Sequence, residues 1–396
     1  MTPVLQLMLA LGLLIGTAKL GGLLSQRLNQ PSVLGELLVG LVLGPTVLNV
    51  LHLPIFPDEH LSETVHQLAE VGVVFLMFFA GLEINLADLL HSGRVAVIAG
   101  TLGVIVPLLL GAATALPFGY DLSHALFIGV ILTATSVSIS AQTLIELGVL
   151  STRPGLALLG AAVVDDVLGI LVLSVFVALA GSGAAGGAGG GALLWVFARM
   201  ALFLVGAVYL GFWLLPLGAE WVSRLPISAG LLAYAVVVAL LLAVAAEALG
   251  GVAAITGAFI AGAALSRSEV KGEMEESFHS LAYGFFVPLF FVSIGLLANA
   301  RAITPAQIPF VVLITLVAIA SKIIGCGLGA RLSGFNAREA LQLGTGMVSR
   351  GEVGLIVATV GVTSGIIGEE VFALTVIVVL ITTLVTPLML RLSFRE

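Results

Sequence analysis

Charge is what this chain has least of. Only 9% of its 396 residues are Asp, Glu, Lys or Arg, where a water-soluble domain carries about 25%. With 60% hydrophobic residues as well, the chain cannot cover a soluble surface and reads as an all-α polytopic membrane protein. Cysteine is equally scarce. Cys326 stands alone in the sequence, so no intrachain disulfide can form and the redox compartment goes uninformed. There is no basic excess to meet nucleic acid, since the formal net charge is −7. There is no Gly-x-x-x-x-Gly-Lys-Ser/Thr loop, which leaves ATP-driven pumping unsupported, and no cofactor is expected. The start of the chain lacks a basic n-region, and its apolar run continues to Leu24. That is the pattern of a first spanning helix rather than a cleaved signal. No connection is long enough for a soluble domain; the longest charged one runs from about Arg267 to Glu276.

What the chain does have is apolar length. Runs bounded by breakers mark about thirteen spans, near 4–26, 31–51, 65–84, 94–117, 121–148, 154–180, 191–223, 227–248, 250–266, 277–299, 305–332, 336–364 and 369–392. A glycine-rich connector from Gly181 to Gly191 joins two halves. With the N-terminus outside, the inner segments collect Arg27, Arg94, Arg153, Arg224, Arg267, Lys271, Arg331, Arg338, Arg391 and Arg395. The outer ones hold Arg301, with Arg199 inside a span. This bias favours an odd number of spans and an inner C-terminus.

The halves resemble each other. Gly81-Leu82 and Asn85 coincide with Gly295-Leu296 and Asn299 at an offset of 214 residues, and the same offset lays Leu108 over Lys322 and Thr135-Ser136 over Ser349-Arg350. An offset of 222 lays Gly35 and Gly40 over Gly257 and Gly262. Seven spans separate span three from span ten, so the repeats are inverted, as in secondary transporters.

Against this apolar background a few polar residues stand out. Asp165 and Asp166 lie in the middle of the run from Pro154 to about Ala180, where each carboxylate costs about 2.5–3.5 kcal/mol on insertion scales. Helical neighbours diverge by about 100°, so one can face a watery path while the other faces a protein partner. Coupled, buried carboxylates suit a proton-coupled carrier, because a hard alkali cation needs ionised oxygens and a proton cancels them. The same divergence disfavours an aspartyl protease, which needs two aspartates converging on one bond. Lys322 lies in the run Ile308 to Ala330, about 13.5 Å of helix from Arg331. It is too deep to snorkel comfortably and pairs with one aspartate. Two polar patches, Thr133 to Ser140 and Gly344 to Gly354, read as broken helices. There hydroxyls and freed carbonyls can ligate a cation, and Arg350 and Glu352 can neutralise exposed helix ends. Glu36, Glu70, Glu83 and Glu247 read as interfacial. Lys19 is placed to snorkel, and His52, His60 and His66 read as a solvated loop rather than a metal site. Trp195, Trp213 and Trp221 read as interfacial anchors or packing.

Four stretches resemble one family: Leu28-Asn29-Gln30-Pro31-Ser32-Val33-Leu34-Gly35-Glu36, Ala134-Thr135-Ser136-Val137, Gly160 to Gly169, and Arg350-Gly351-Glu352-Val353-Gly354-Leu355-Ile356-Val357. They are similar to the NapA-type bacterial sodium/proton antiporters, among the monovalent cation:proton antiporters, and the likeness runs through nearly the whole chain. The resemblance implies an NhaA/NapA-like fold: thirteen helices, inverted repeats, and two crossed discontinuous helices. It implies one transmembrane antiporter domain over 1–396, a dimerisation part plus a mobile core containing about 65–180 and 277–396. It implies that Asp166 binds the cation (sodium) or a proton, that Asp165 pairs with Lys322, and that Thr135 and Ser136 lie at the crossing. It further implies a homodimer among lipid in the bacterial inner membrane, exchanging sodium, or lithium, for protons electrogenically by an elevator movement. A potassium/proton exchanger of the same fold is the alternative. Ser349 departs from the proline frequent in the sodium branch.

Overall fold

The computed structural model describes residues 2–28, 30–58, 60–83, 93–181, 190–297, 301 and 304–395, with the side chains of 174, 177–181, 190–193, 352, 363 and 369 left aside. The Gly181 to Gly191 connector thus lies mostly outside the described residues, as does the Glu352 side chain. Ten helices among the described residues are long and apolar enough to cross a membrane, and three shorter apolar ones accompany them. Together they fall where the sequence marks its spans.

The first half holds α1 (Pro3–Arg27), α2 (Ser32–Leu43), α3 (Leu61–Glu83), α4 (Gly93–Ala115), α5 (Leu122–Thr133), α6 (Val137–Glu146) and α7 (Arg153–Gly181). The second holds α8 (Gly190–Ser223), α9 (Gly230–Ala245), α10 (Ala254–Leu265), α11 (Lys271–Leu281), α12 (Val287–Leu297), α13 (Ile308–Leu332), α14 (Ala337–Gly346), α15 (Glu352–Thr363) and α16 (Glu369–Phe394). Local chemistry sets the ends. Pro3 opens α1 behind Thr2, whose hydroxyl accepts the Leu5 N–H. Asn336 and Glu339 close a reciprocal capping box on α14.

Three expectations from sequence are revised. The span expected over 31–51 is helical only to Leu43; Gly44 is extended ahead of Pro45, which disfavours helix before it. The charged stretch after Arg267 is no loop, because α11 begins at Lys271 and passes through a π-turn at Ala282–Phe286 into α12. Glu36 is not interfacial: it is 5% exposed, and the half-exposed Lys19 ammonium lies 3.9 Å from its carboxylate.

The helices pack in two groups. α3 lies along α10 and α12, and α12 along α2 and α1. With α9 and α11 they form a frame, on which α8 rests through α9 and α10. The other group is built on α4, which lies along α13, α5 and α7, with α14 against α13 and α16, and α15 against α16. A narrow seam, chiefly α2 and α3 against α6 and α7 against α8, joins the groups.

The repeats appear in the contacts themselves. A Cβ on Gly40 would strike the Val292 carbonyl beside Gly295, and one on Gly262 would strike the Phe78 carbonyl beside Gly81. Gly40 and Gly262 are equivalents at the 222 offset, Gly81 and Gly295 at the 214 offset. One helix crossing, allowed by the absence of side chains, is therefore made twice.

Candidate functional site

The site begins where two helices stop in mid-span. α5 ends at Thr133, Ala134 to Ser136 run extended, and α6 resumes at Val137. α14 ends at Gly346, and α15 resumes at Glu352 behind Gly351. Each break leaves carbonyls and N–H groups without helical partners inside a low-dielectric interior, where they must be satisfied. The breaks satisfy each other. The Ser136 N–H donates to the Ser349 carbonyl at 2.8 Å, and the Ser349 hydroxyl donates to the Ser136 carbonyl. The Ser140 hydroxyl donates to the Gly346 carbonyl and lies 3.1 Å from the Ser349 hydroxyl. A Cβ on Gly351 would lie 2.7 Å from Ser136 Oγ, so the crossing closes only over glycine.

Arg350 is almost wholly enclosed, at 1% exposure. Its guanidinium donates to the carbonyls of Val348 (2.9 Å), Leu132 (2.9 Å) and Ala318 (3.0 Å). Leu132 lies in the last turn of α5, so a cation stands where that helix presents its negative end. Thr383 of α16 in turn donates to the Arg350 carbonyl.

Beside the crossing runs α7. Asp165 is 1% exposed and Lys322 is 0% exposed, and Lys322 Nζ donates to Asp165 Oδ1 at 2.7 Å. Thr135 lies beside the same carboxyl, and its hydroxyl is 3.5 Å from the Thr133 carbonyl. A buried pair of this kind persists because removing either partner strands the other charge away from water. The pair packs against Gly103 of α4, where a Cβ would lie 2.5 Å from Cys326 Sγ and 3.5 Å from Asp165 Oδ1.

Asp166 points elsewhere. It lines a small cavity on the seam with Val137, Leu159 and Val163 from its own group and Met77, Ile255, Thr256 and Phe259 from the frame. Ser136 is fully buried, and its hydroxyl oxygen has no hydrogen-bond partner among the described residues. The structure thus brings Asp165, Lys322, Thr135, Ser136, Arg350 and Asp166 into one region around the crossing. Of Glu352, only its backbone place at the start of α15 is described.

Sequence reasoning passed over a second polar network, at the Glu146 end of the seam. There the Glu146 carboxylate accepts the Ser32 N–H at 2.6 Å, the Ser32 hydroxyl, and the Gln142 amide at 2.8 Å. Tyr283 of the frame donates to Gln142 Oε1 at 2.7 Å. Ser32 opens α2 in the frame and Glu146 closes α6 across the seam, so these bonds tie the two groups together. The signal available was Gln142 and Glu146 at i and i+4 near the end of a span. His66 and Glu70, read as loop and interface, form an exposed pair at 3.4 Å on α3.

Outside the membrane spans, Asp121 caps α5. Its carboxylate accepts the His124 N–H at 2.8 Å and lies 2.7 Å from the His124 ring. The backbone hydrogen bond first, and the imidazole second, hold its pKa below the usual carboxylate value.

The chain resembles known proteins in sequence and in fold. Residues 12–395 match the family described as sodium/hydrogen exchanger, transmembrane. The chain is 40% identical over 384 residues to the Na(+)/H(+)-K(+) antiporter GerN of Bacillus cereus, covering 97% of this chain and 95% of that one. It is 36% identical over 380 residues to the Na(+)/H(+) antiporter of Enterococcus hirae, covering 96% of each. In fold it is similar to the solved sodium proton antiporter MjNhaP1 of Methanocaldococcus jannaschii, with a TM-score of 0.71 at 18% identity over 100% of this chain and 99% of the other.

Proposed function

The chain belongs to the sodium/hydrogen exchanger family, and from that premise we propose that it exchanges sodium for protons across the cell membrane at Asp166. The observation that carries the assignment is the division between the two aspartates. Asp165 is held by Lys322 at 2.7 Å, while Asp166 lines a cavity on the seam between two helix groups. Proton and cation compete for the Asp166 carboxylate. The core crosses when that charge is compensated by either one, and the bare carboxylate holds it back. Thr135 and Ser136 supply neutral oxygens at the crossing, with Arg350, together with Glu352, compensating the broken helix ends. Lys322 releases Asp165 as the cation binds and re-pairs with it on the return, which makes the exchange electrogenic if a second proton rides on that pair.

Packing supports a mobile core narrower than 65–180 and 277–396. α3 and α12 lie mainly against frame helices, so we place the moving group at α4–α7 and α13–α16. The frame then carries the homodimer contact. The N-terminus lies outside and the C-terminus in the cytoplasm, as the Lys/Arg bias favours. Lithium shares the hard-cation chemistry and is the expected second substrate. The GerN name includes potassium, so potassium is the comparison that matters most.

The test is dissipation of a pH gradient in proteoliposomes. Sodium and lithium are expected to collapse the gradient more effectively than potassium, and a clamped membrane potential to change the rate. Asp166→Asn is expected to abolish the response. Full exchange in that variant would sink the assignment, and a preference for potassium would select the alternative.

A further inference from the structure

The cavity beside Asp166 measures about 10 Å³, room for about one water molecule. A hydrated cation does not fit. Whatever reaches Asp166 in this state arrives stripped of most of its shell and needs oxygens from the protein to replace the water. Six lining residues, Met77, Val137, Leu159, Val163, Ile255 and Phe259, have no oxygen in their side chains. The remaining one is Thr256.

Thr256 is 3% exposed and sits in the first turn of α10, behind an Ala253 that offers no side-chain cap. Several other buried threonines bond back along their own helices, as Thr133 does to Val130, Thr143 to Ile139, Thr375 to Val371 and Thr382 to Val378, whereas Thr383 donates to the Arg350 carbonyl and the Thr315 hydroxyl has no partner among the described residues. No bond back along its own helix is formed by the Thr256 hydroxyl among the described residues. A hydroxyl not committed to its own helix can serve as an oxygen donor to a ligand, and Thr256 borders the cavity that Asp166 borders.

We propose that Thr256 is a specificity-determining ligand of the transported cation, its hydroxyl oxygen completing the shell that the Asp166 carboxylate begins. This rests on the reading that Asp166 carries the cation. The chemistry fits a small, hard, monovalent ion, which takes a carboxylate and a neutral hydroxyl as oxygen donors. The two donors belong to different groups, Asp166 to the core through α7 and Thr256 to the frame through α10. Moving the core away separates them. Thr256 therefore strengthens binding from one face of the membrane and not from the other.

Thr256→Val keeps the shape and removes the oxygen. In vesicles of defined orientation, the apparent KM for sodium is expected to rise about tenfold from one face, to stay within about twofold from the other, and to change more than kcat does. Sodium-dependent thermal stabilisation of the purified protein should weaken in parallel. Thr256→Ser should restore both, and Thr256→Ala serves if the valine variant fails to fold. An unchanged KM from both faces, an equal rise from both, or a loss confined to kcat overturns the role of Thr256. Asp166→Asn separates this from the underlying reading. If that variant is dead while Thr256→Val is normal, Thr256 alone is excluded. If Asp166→Asn still exchanges sodium, the site itself is misassigned.

Discussion

Lys322 and Asp165 are each almost fully enclosed, and neither has water to fall back on. Lys322→Ala is expected to cost about 3–5 kcal/mol, read as a lowered thermal midpoint in detergent. Lys322→Ala with Asp165→Asn should recover part of that loss, because no stranded charge remains; a double variant no more stable than the single one would show that the pair is uncoupled. Gly103 makes a second, steric claim on the same pair. Gly103→Ala places a methyl group 2.5 Å from Cys326 Sγ, an overpacking of about 1–3 kcal/mol. Cys326→Ala in the same chain should relieve it, and failure to do so would place the strain elsewhere. At this scale the sequence speaks through contrast. A charge inside an apolar run is visible without a structure, so Asp165, Asp166 and Lys322 could be picked out. Glu36, Glu146 and Thr256 could not, because their meaning depends on which helix lies opposite, and no local pattern encodes that.

The two broken helices depend on each other. Polar patches at Thr133–Ser140 and Gly344–Gly354 announced the breaks, since both cluster hydroxyls in mid-span, the second with glycines, and the two coincide under the repeat offset. The mutual bonding of Ser136 and Ser349 was not legible, because it depends on one break being laid across the other. Arg350 binds carbonyls from three segments. Arg350→Met is therefore expected to lower stability by about 3 kcal/mol and to abolish exchange, with Arg350→Lys rescuing neither fully, as one ammonium cannot reproduce a planar fork. Wild-type stability with normal exchange in Arg350→Met would refute the capping role. The start of α5 responds to pH. Because the Asp121 pKa is lowered in the folded state, its contribution is present above the ordinary aspartate pKa and is lost as pH falls through the lowered value. The stability difference between wild type and Asp121→Asn should shrink on acidification over that window; a constant difference would contradict the assignment.

Across the whole molecule, the apolar helices were readable from apolar length and the doubling from recurrent glycines, whereas the seam was not, since it depends on which helices pack against which. The proposed movement along that seam would require the Ser32–Glu146 contact to break. In a Cys326→Ala background, cross-linking Ser32→Cys to Glu146→Cys is expected to arrest exchange until the link is reduced. Unimpeded exchange in the linked protein would mean that this contact survives the cycle. A second link, Val137→Cys to Phe259→Cys, tests whether the groups move at all. The repeat adds a corollary to this fastening. Carried through the offsets, Ser32 falls on Ala254 and Glu146 on Val360, and neither side chain can form an equivalent bond. The halves share a backbone plan, but only one of them has been given a clasp. In the proposed shuttle, the cost of opening Glu146 would fall on one half of the cycle alone.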